Sequence, residues 1–78
     1  MGDPDHDLVL QCQQGDPVAF ETLVSQHQRM IHSLTFRMTG SLADAEDLAQ
    51  ETFILAFDQL DTLRGSAKFS TLLYRIAV

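Results

Sequence analysis

Three glycines divide this chain into stretches that repeat apolar residues at helical spacing, and that punctuation leaves room for little but a small helical bundle. Gly15, Gly40 and Gly65 each follow such a stretch. A glycine just past the last turn can take the left-handed conformation that ends a helix. Directly after Gly15, Asp16 is placed to cap the next helix and Pro17 to occupy its first position, where a missing N–H costs nothing. After Gly40 the run "SLAD" has the form of a capping box, with Ser41 as N-cap and Asp44 three residues on. The spacing predicts a short helix over 5–14, long helices over 17–39 and 42–63, and a fourth starting between Ser66 and Ser70. The expected fold class is all-α. It is a compact bundle of four helices, in which a short Gly-Ser link makes the two long ones antiparallel neighbours.

The second segment sets Phe20, Leu23, Val24, Met30, Ile31, Leu34 and Met38 in one row with His27, which is helical spacing with one buried face. No β alternation of comparable length appears. Seventy-eight residues make one domain at most, of a size at which a single core is only marginally stabilising. Apolar residues at 45% and charged ones at 21% suit a globular chain rather than a disordered one. No apolar run is long enough to span a membrane, and "MGDPDHDLVL" lacks the basic and apolar regions of a signal peptide. No membrane insertion is expected, and a cytoplasmic location is. Cys12 stands alone, which excludes an intrachain disulfide and fits a reducing compartment. The last stretch, "STLLYRIAV", stops without a glycine, proline or cap, so the chain is expected to be a piece of a longer protein.

The third segment poses the functional question. At about 100° per residue, with Asp47 at zero, Gln50 falls near 300°, Glu51 near 40°, Ile54 near 340° and Asp58 near 20°. On the same wheel Ala45, Leu48, Ala49, Thr52, Leu55, Ala56, Leu60 and Leu63 lie between about 80° and 220°, with Phe53 just beyond them. The helix thus has a core face and, opposite it, an acid-and-amide row with an isoleucine in the middle. A solvated face whose early acids, Asp44, Glu46 and Asp47, complement the helix dipole explains the first turn. It does not explain Gln50, Glu51 and Ile54. An isoleucine ringed by hydrogen-bonding groups is also the layout of a small interface centre with a polar rim. Geometry alone leaves both a solvated face and docking to a basic partner open.

Charge is uneven along the chain. Residues 1–63 hold all 11 acidic groups against Arg29 and Arg37, a net of −9, whereas residues 64–78 hold Arg64, Lys68 and Arg75 and no acid, a net of +3. The run "LRGSAKFSTLLYR" adds Phe69 and Tyr74 to those cations across a glycine-serine link. Cations for a backbone and aromatic faces for unstacked bases are the chemistry of single-stranded nucleic-acid binding. Aromatics at the start of an amphipathic helix are also ordinary core anchors, and one of the two is expected to be that. Leu72, Leu73 and Ile76 read as core positions.

Catalytic readings fare poorly. A di-metal bundle site needs Glu-x-x-His pairs, and none occurs. His6, His27 and His32 lack ligand spacing. There is no Gly-rich phosphate loop and no nucleophile elbow. A non-catalytic protein without cofactors or metals is expected.

The run "ADAEDLAQETFILAFDQLDTLRGSAKFSTLLYRIA" closely resembles region 2 of bacterial sigma factors of the extracytoplasmic-function group, and "QCQQGDPVAFETLVSQH" resembles the upstream part of the same domain. The resemblance implies that the acidic helix docks on the coiled-coil clamp helices of the polymerase β′ subunit. Asp47, Gln50 and Glu51 match the family pattern, and the segment continues to Leu60 through Ile54 and Asp58. It also implies recognition and melting of the promoter −10 element, with a flipped non-template base captured by the loop from Arg64 to Phe69, including Ser66, Ala67 and Lys68. Thr71, Tyr74 and Arg75 would lie next to the strand. An anti-sigma factor is a further expected partner, and the C-terminal DNA-binding domain of such factors lies outside this chain. One departure is Leu72, where the family usually has tryptophan, which implies one aromatic fewer for melting. The alternative is a protein-interaction bundle, an adaptor or inhibitor-binding module, in which Arg64, Lys68 and Phe69 have no DNA role.

Overall fold

A computed structural model describes residues 5–63 and 68–78. They form α1 (His6–Gln13), α2 (Pro17–Thr39), α3 (Leu42–Asp58), a 3-10 turn (Leu60–Thr62) and α4 (Phe69–Ala77). No strand occurs among the described residues, so the chain is all-α.

The local signals set the helix ends. Asp16 is extended (φ −82°, ψ 108°), and its side chain accepts a hydrogen bond from the Val18 N–H at 3.0 Å, with Pro17 opening α2. This satisfies one of the N–H groups that a helix start leaves without a partner. Gly40 closes α2 at φ +70°, and its N–H donates to the Phe36 carbonyl at 2.8 Å. Ser41 follows, extended, and its Oγ accepts from the Asp44 N–H at 3.4 Å.

The end of α3 departs from the sequence expectation. A helix running to 63 was expected; α3 stops at Asp58 and tightens into the 3-10 turn. The tightening turns Leu60 and Leu63 inward, to 3% and 7% exposure. It also leaves their carbonyls to the side chain of Gln13 on α1, whose Nε2 donates to them at 3.0 and 3.3 Å. Thr62 competes for backbone in the same turn, its hydroxyl donating to the Gln59 carbonyl at 2.6 Å. Gly65, the expected stop signal, lies outside the described residues.

Helices α2 and α3 are antiparallel. Phe20, early in α2, meets Phe57 late in α3 with ring centroids 4.9 Å apart, and Thr35, late in α2, donates to the Ala45 carbonyl at 3.0 Å. Small residues let the helices close on each other: Ala45, Ala49, Thr52 and Ala56 form the buried stripe of α3. The core is Leu23 and Ile31 from α2 and Phe69, Leu72 and Leu73 from α4, all almost fully buried, with Val9 and Cys12 from α1 at its edge. Helix α4 thus packs on the buried side of α3, away from the acid row. Met38, expected on the buried row of α2, lies beyond the end of this core and is exposed.

Candidate docking face and nucleic-acid interface

Asp47, Gln50, Glu51, Ile54 and Asp58 are all exposed on α3, and Ile54 is 63% open to solvent. Among the described residues, none of the three carboxylates has a cation within salt-bridge distance. The acid row is therefore not consumed by the described arginines, Arg29, Arg37 and Arg75. The isoleucine has an apolar neighbour that the sequence reading did not single out. Phe57 is 55% exposed and sits one turn from Ile54, its ring held edge-on against Phe20. Its place on the wheel, near 280°, was the available signal.

The width of the core arc also differs from the expectation. Leu55, near 80°, was counted as core but is 38% exposed, while Phe53, near 240°, is buried. Helix α2 closes over the Phe53 side, where Val24, Gln28, His32, Glu46, Gln50 and Phe53 line a groove of about 350 Å³. Gln50 thus joins the acid row to polar residues of α2, which a wheel of α3 alone does not reveal.

At the other end of the chain, Lys68, Thr71, Tyr74 and Arg75 are exposed along one side of α4, with Tyr74 at 47%. Their spacing of three and four makes them a single stripe. Phe69 is a correction to the nucleic-acid set. It is fully buried, packed on Phe20 (6.4 Å between centroids) and His27 (5.5 Å), so it is the core anchor of the pair and cannot stack on a base from that position. Leu72 is buried at 1%, off the exposed stripe, so the residue type there bears on packing. Arg64, Ser66 and Ala67 lie outside the described residues.

Burial, and after it the Asp16 carboxylate, raises the Cys12 thiol above its usual value, which disfavours the thiolate that chemistry would need. No group of three or more His, Cys, Asp or Glu is arranged to hold a metal among the described residues. No described helix is long and apolar enough to cross a membrane.

The profile of sigma-70 region 2 matches residues 23–78, from the second turn of α2 through α4, and so takes in both exposed faces. The chain belongs to the sigma-70 region 2 family. It is 44% identical over 69 residues to the ECF RNA polymerase sigma factor SigW of Bacillus subtilis (strain 168), covering 88% of this chain and 37% of that protein. It is 43% identical over 74 residues to the RNA polymerase sigma-H factor of Pseudomonas aeruginosa, covering 95% of this chain and 38% of the relative. Against the ECF RNA polymerase sigma-E factor of Escherichia coli (strain K12), identity is 46% over 74 residues, with the same coverage of 95% and 38%. The chain thus spans less than two fifths of the length of these relatives. In this region 2 domain, α3 carries the acid row and α4 the basic stripe.

Proposed function

We propose that this region 2 domain is part of a sigma factor of the extracytoplasmic-function group, which binds core RNA polymerase and helps open promoters without catalysing a reaction itself. Its α3 row docks on the β′ clamp helices: Asp47, Glu51 and Asp58 meet cations, Gln50 hydrogen-bonds, and Ile54 with Phe57 forms the dry centre. The observation that carries this reading is Ile54, 63% exposed amid carboxylates that have no cation partner among the described residues. Phe57, 55% exposed one turn away, makes this more than a lone apolar side chain.

The second surface is the α4 stripe. Lys68 and Arg75 meet the backbone of the −10 non-template strand, and Tyr74 offers an exposed aromatic face where stacking is worth about 1–3 kcal/mol per base. Arg64, Ser66 and Ala67 belong to the base-capturing link by resemblance to the family. Phe69 contributes from below, as the packed base of α4. An anti-sigma factor that covers the α3 row would hold the protein inactive, and the site of action is the cytoplasm. The alternative, an interaction bundle without a DNA role, shares the α3 face but assigns no work to Lys68 and Arg75.

Two substitutions test these assignments, and the second separates the two readings. Glu51→Arg should abolish binding to a β′ clamp-helix fragment while leaving helical content by circular dichroism intact; unchanged affinity removes the docking assignment. Lys68→Glu in the full-length protein, assembled with core polymerase, should weaken capture of the −10 non-template strand. Promoter opening indifferent to that change leaves the interaction-bundle reading in possession.

A further inference from the structure

Helix α3 is one wall of a groove whose other wall, on α2, has no part in the docking proposed above. Val24, Gln28 and His32 recur at every fourth residue and so form one ridge of α2, while Glu46, Gln50 and Phe53 form the facing ridge of α3. The helices are antiparallel, with Phe20 against Phe57 and Thr35 against Ala45. The two ridges therefore pair in order: His32 across from Glu46, Gln28 from Gln50, and Val24 from Phe53. This grades the groove along its length. One end is apolar, the middle holds two amides, and the other end holds a carboxylate and an imidazole.

Gln28, Glu46 and Gln50 are exposed, and among the described residues none of the groove's four polar side chains makes a hydrogen bond or ion pair within the chain. The volume of about 350 Å³ is at the low end of the range of about 300–1,000 Å³ for small-ligand pockets, which suits one long side chain rather than a cofactor. A cationic side chain matches the grading. Its methylene stem can cover Val24 and Phe53 while its charged head reaches the amides and Glu46. Arginine fits better than lysine. Its planar guanidinium presents five N–H donors in a fork, which acceptors on both walls can share, whereas an ammonium is compact and strongly hydrated. The surrounding charge has the matching sign, because Gln50 shares its row with Asp47 and Glu51.

We propose that the groove between α2 and α3 is a socket for one arginine side chain of the docked partner, with Gln28, Gln50 and Glu46 as its acceptors. This rests on the docking of the α3 row proposed above and extends that contact to a second helix. The test measures full-length protein against a fluorescein-labelled β′ clamp-helix fragment by anisotropy, together with copies of the fragment in which each arginine in turn is lysine. Gln28→Lys fills the socket with a cation of the protein's own and should weaken binding about tenfold, and Glu46→Gln about fivefold. Gln26→Lys adds the same charge on the far side of α2 and should stay within about twofold. One arginine-to-lysine copy should bind the wild-type protein about fivefold more weakly, and that loss should shrink to within about twofold in Gln28→Lys, as expected of two groups in contact.

Glu51→Arg serves as the control for docking itself. If it abolishes binding while Gln28→Lys leaves affinity unchanged, the socket is wrong and the docking stands. If Glu51→Arg leaves binding intact, the docking falls and the socket with it. Equal weakening by Gln26→Lys and Gln28→Lys would reduce the effect to general charge and overturn the socket, as would a fragment in which every arginine tolerates lysine. If circular dichroism shows Gln28→Lys unfolded, Gln28→Ala takes the same readouts with a loss of about threefold expected, and wild-type affinity there is the same refutation.

Discussion

Ile54→Ala tests the docking face with least disturbance to the bundle. The side chain is 63% exposed in the free domain. Fully burying an isoleucine is worth roughly 1.5–3 kcal/mol, so sealing its open portion against a partner gains roughly 1–2 kcal/mol. Truncation to alanine should therefore weaken binding to a β′ clamp-helix fragment about five- to thirtyfold. The folded domain should hardly notice. Exposed substitutions away from caps and cores change stability by within about 0.5 kcal/mol, and alanine is the better helix former. For a domain of this size that keeps Tm within about 4 °C of wild type.

Fluorescence anisotropy of the labelled fragment at low and high salt gives the affinity, and thermal circular dichroism gives the stability. The loss should be nearly independent of salt, whereas the loss for Glu51→Gln should shrink as salt screens the exposed charge. Wild-type affinity in Ile54→Ala would refute the reasoning. So would a fall in Tm of about 10 °C or more, because it would make Ile54 a core residue.

Three further outcomes follow from the same coordinates. Phe69→Ala removes a fully buried ring and should cost about 3–5 kcal/mol, a large share of the roughly 5–15 kcal/mol available to a whole domain; urea unfolding should show the midpoint collapse. Gly40→Ala meets no atom within 4 Å but must hold φ +70°, so it should cost about 1–2 kcal/mol of backbone strain alone, read as a lower Tm with α2 and α3 otherwise unchanged. The Cys12 thiol, raised above its usual 9.0 by burial and then by Asp16, holds its proton to higher pH when folded than when unfolded. Iodoacetamide at mildly alkaline pH should modify the native chain more slowly than the urea-unfolded one. The stability that goes with the protonated thiol is present below 9.0 and should be lost as pH rises through the raised value.

Local chemistry made much of this domain legible. The caps at Asp16 and Ser41, the proline at 17 and the left-handed Gly40 act within a few residues of themselves, so reading them in order places α2 and the start of α3 without knowing what they pack against. The acid row was legible for the same reason: a helix fixes the angle between Asp47, Gln50, Glu51, Ile54 and Asp58 wherever it sits. What could not be read was how far neighbouring elements reach around each helix. Leu55 and Phe53 lie at opposite margins of the same apolar arc, and only the approach of α2 buries one and leaves the other out.

By itself, then, the sequence determined the helices, their order, and the two chemically distinct faces, because periodicity and capping are properties of neighbouring residues. Tertiary structure alone decided that α3 ends at Asp58, because Leu60 and Leu63 turn into the core and α1 supplies Gln13 for the carbonyls so left. It alone decided that Phe69 is an anchor and Tyr74 a surface residue. Both aromatics suit the same amphipathic helix, and the space beside Phe20 and His27 exists only once α2 is in place.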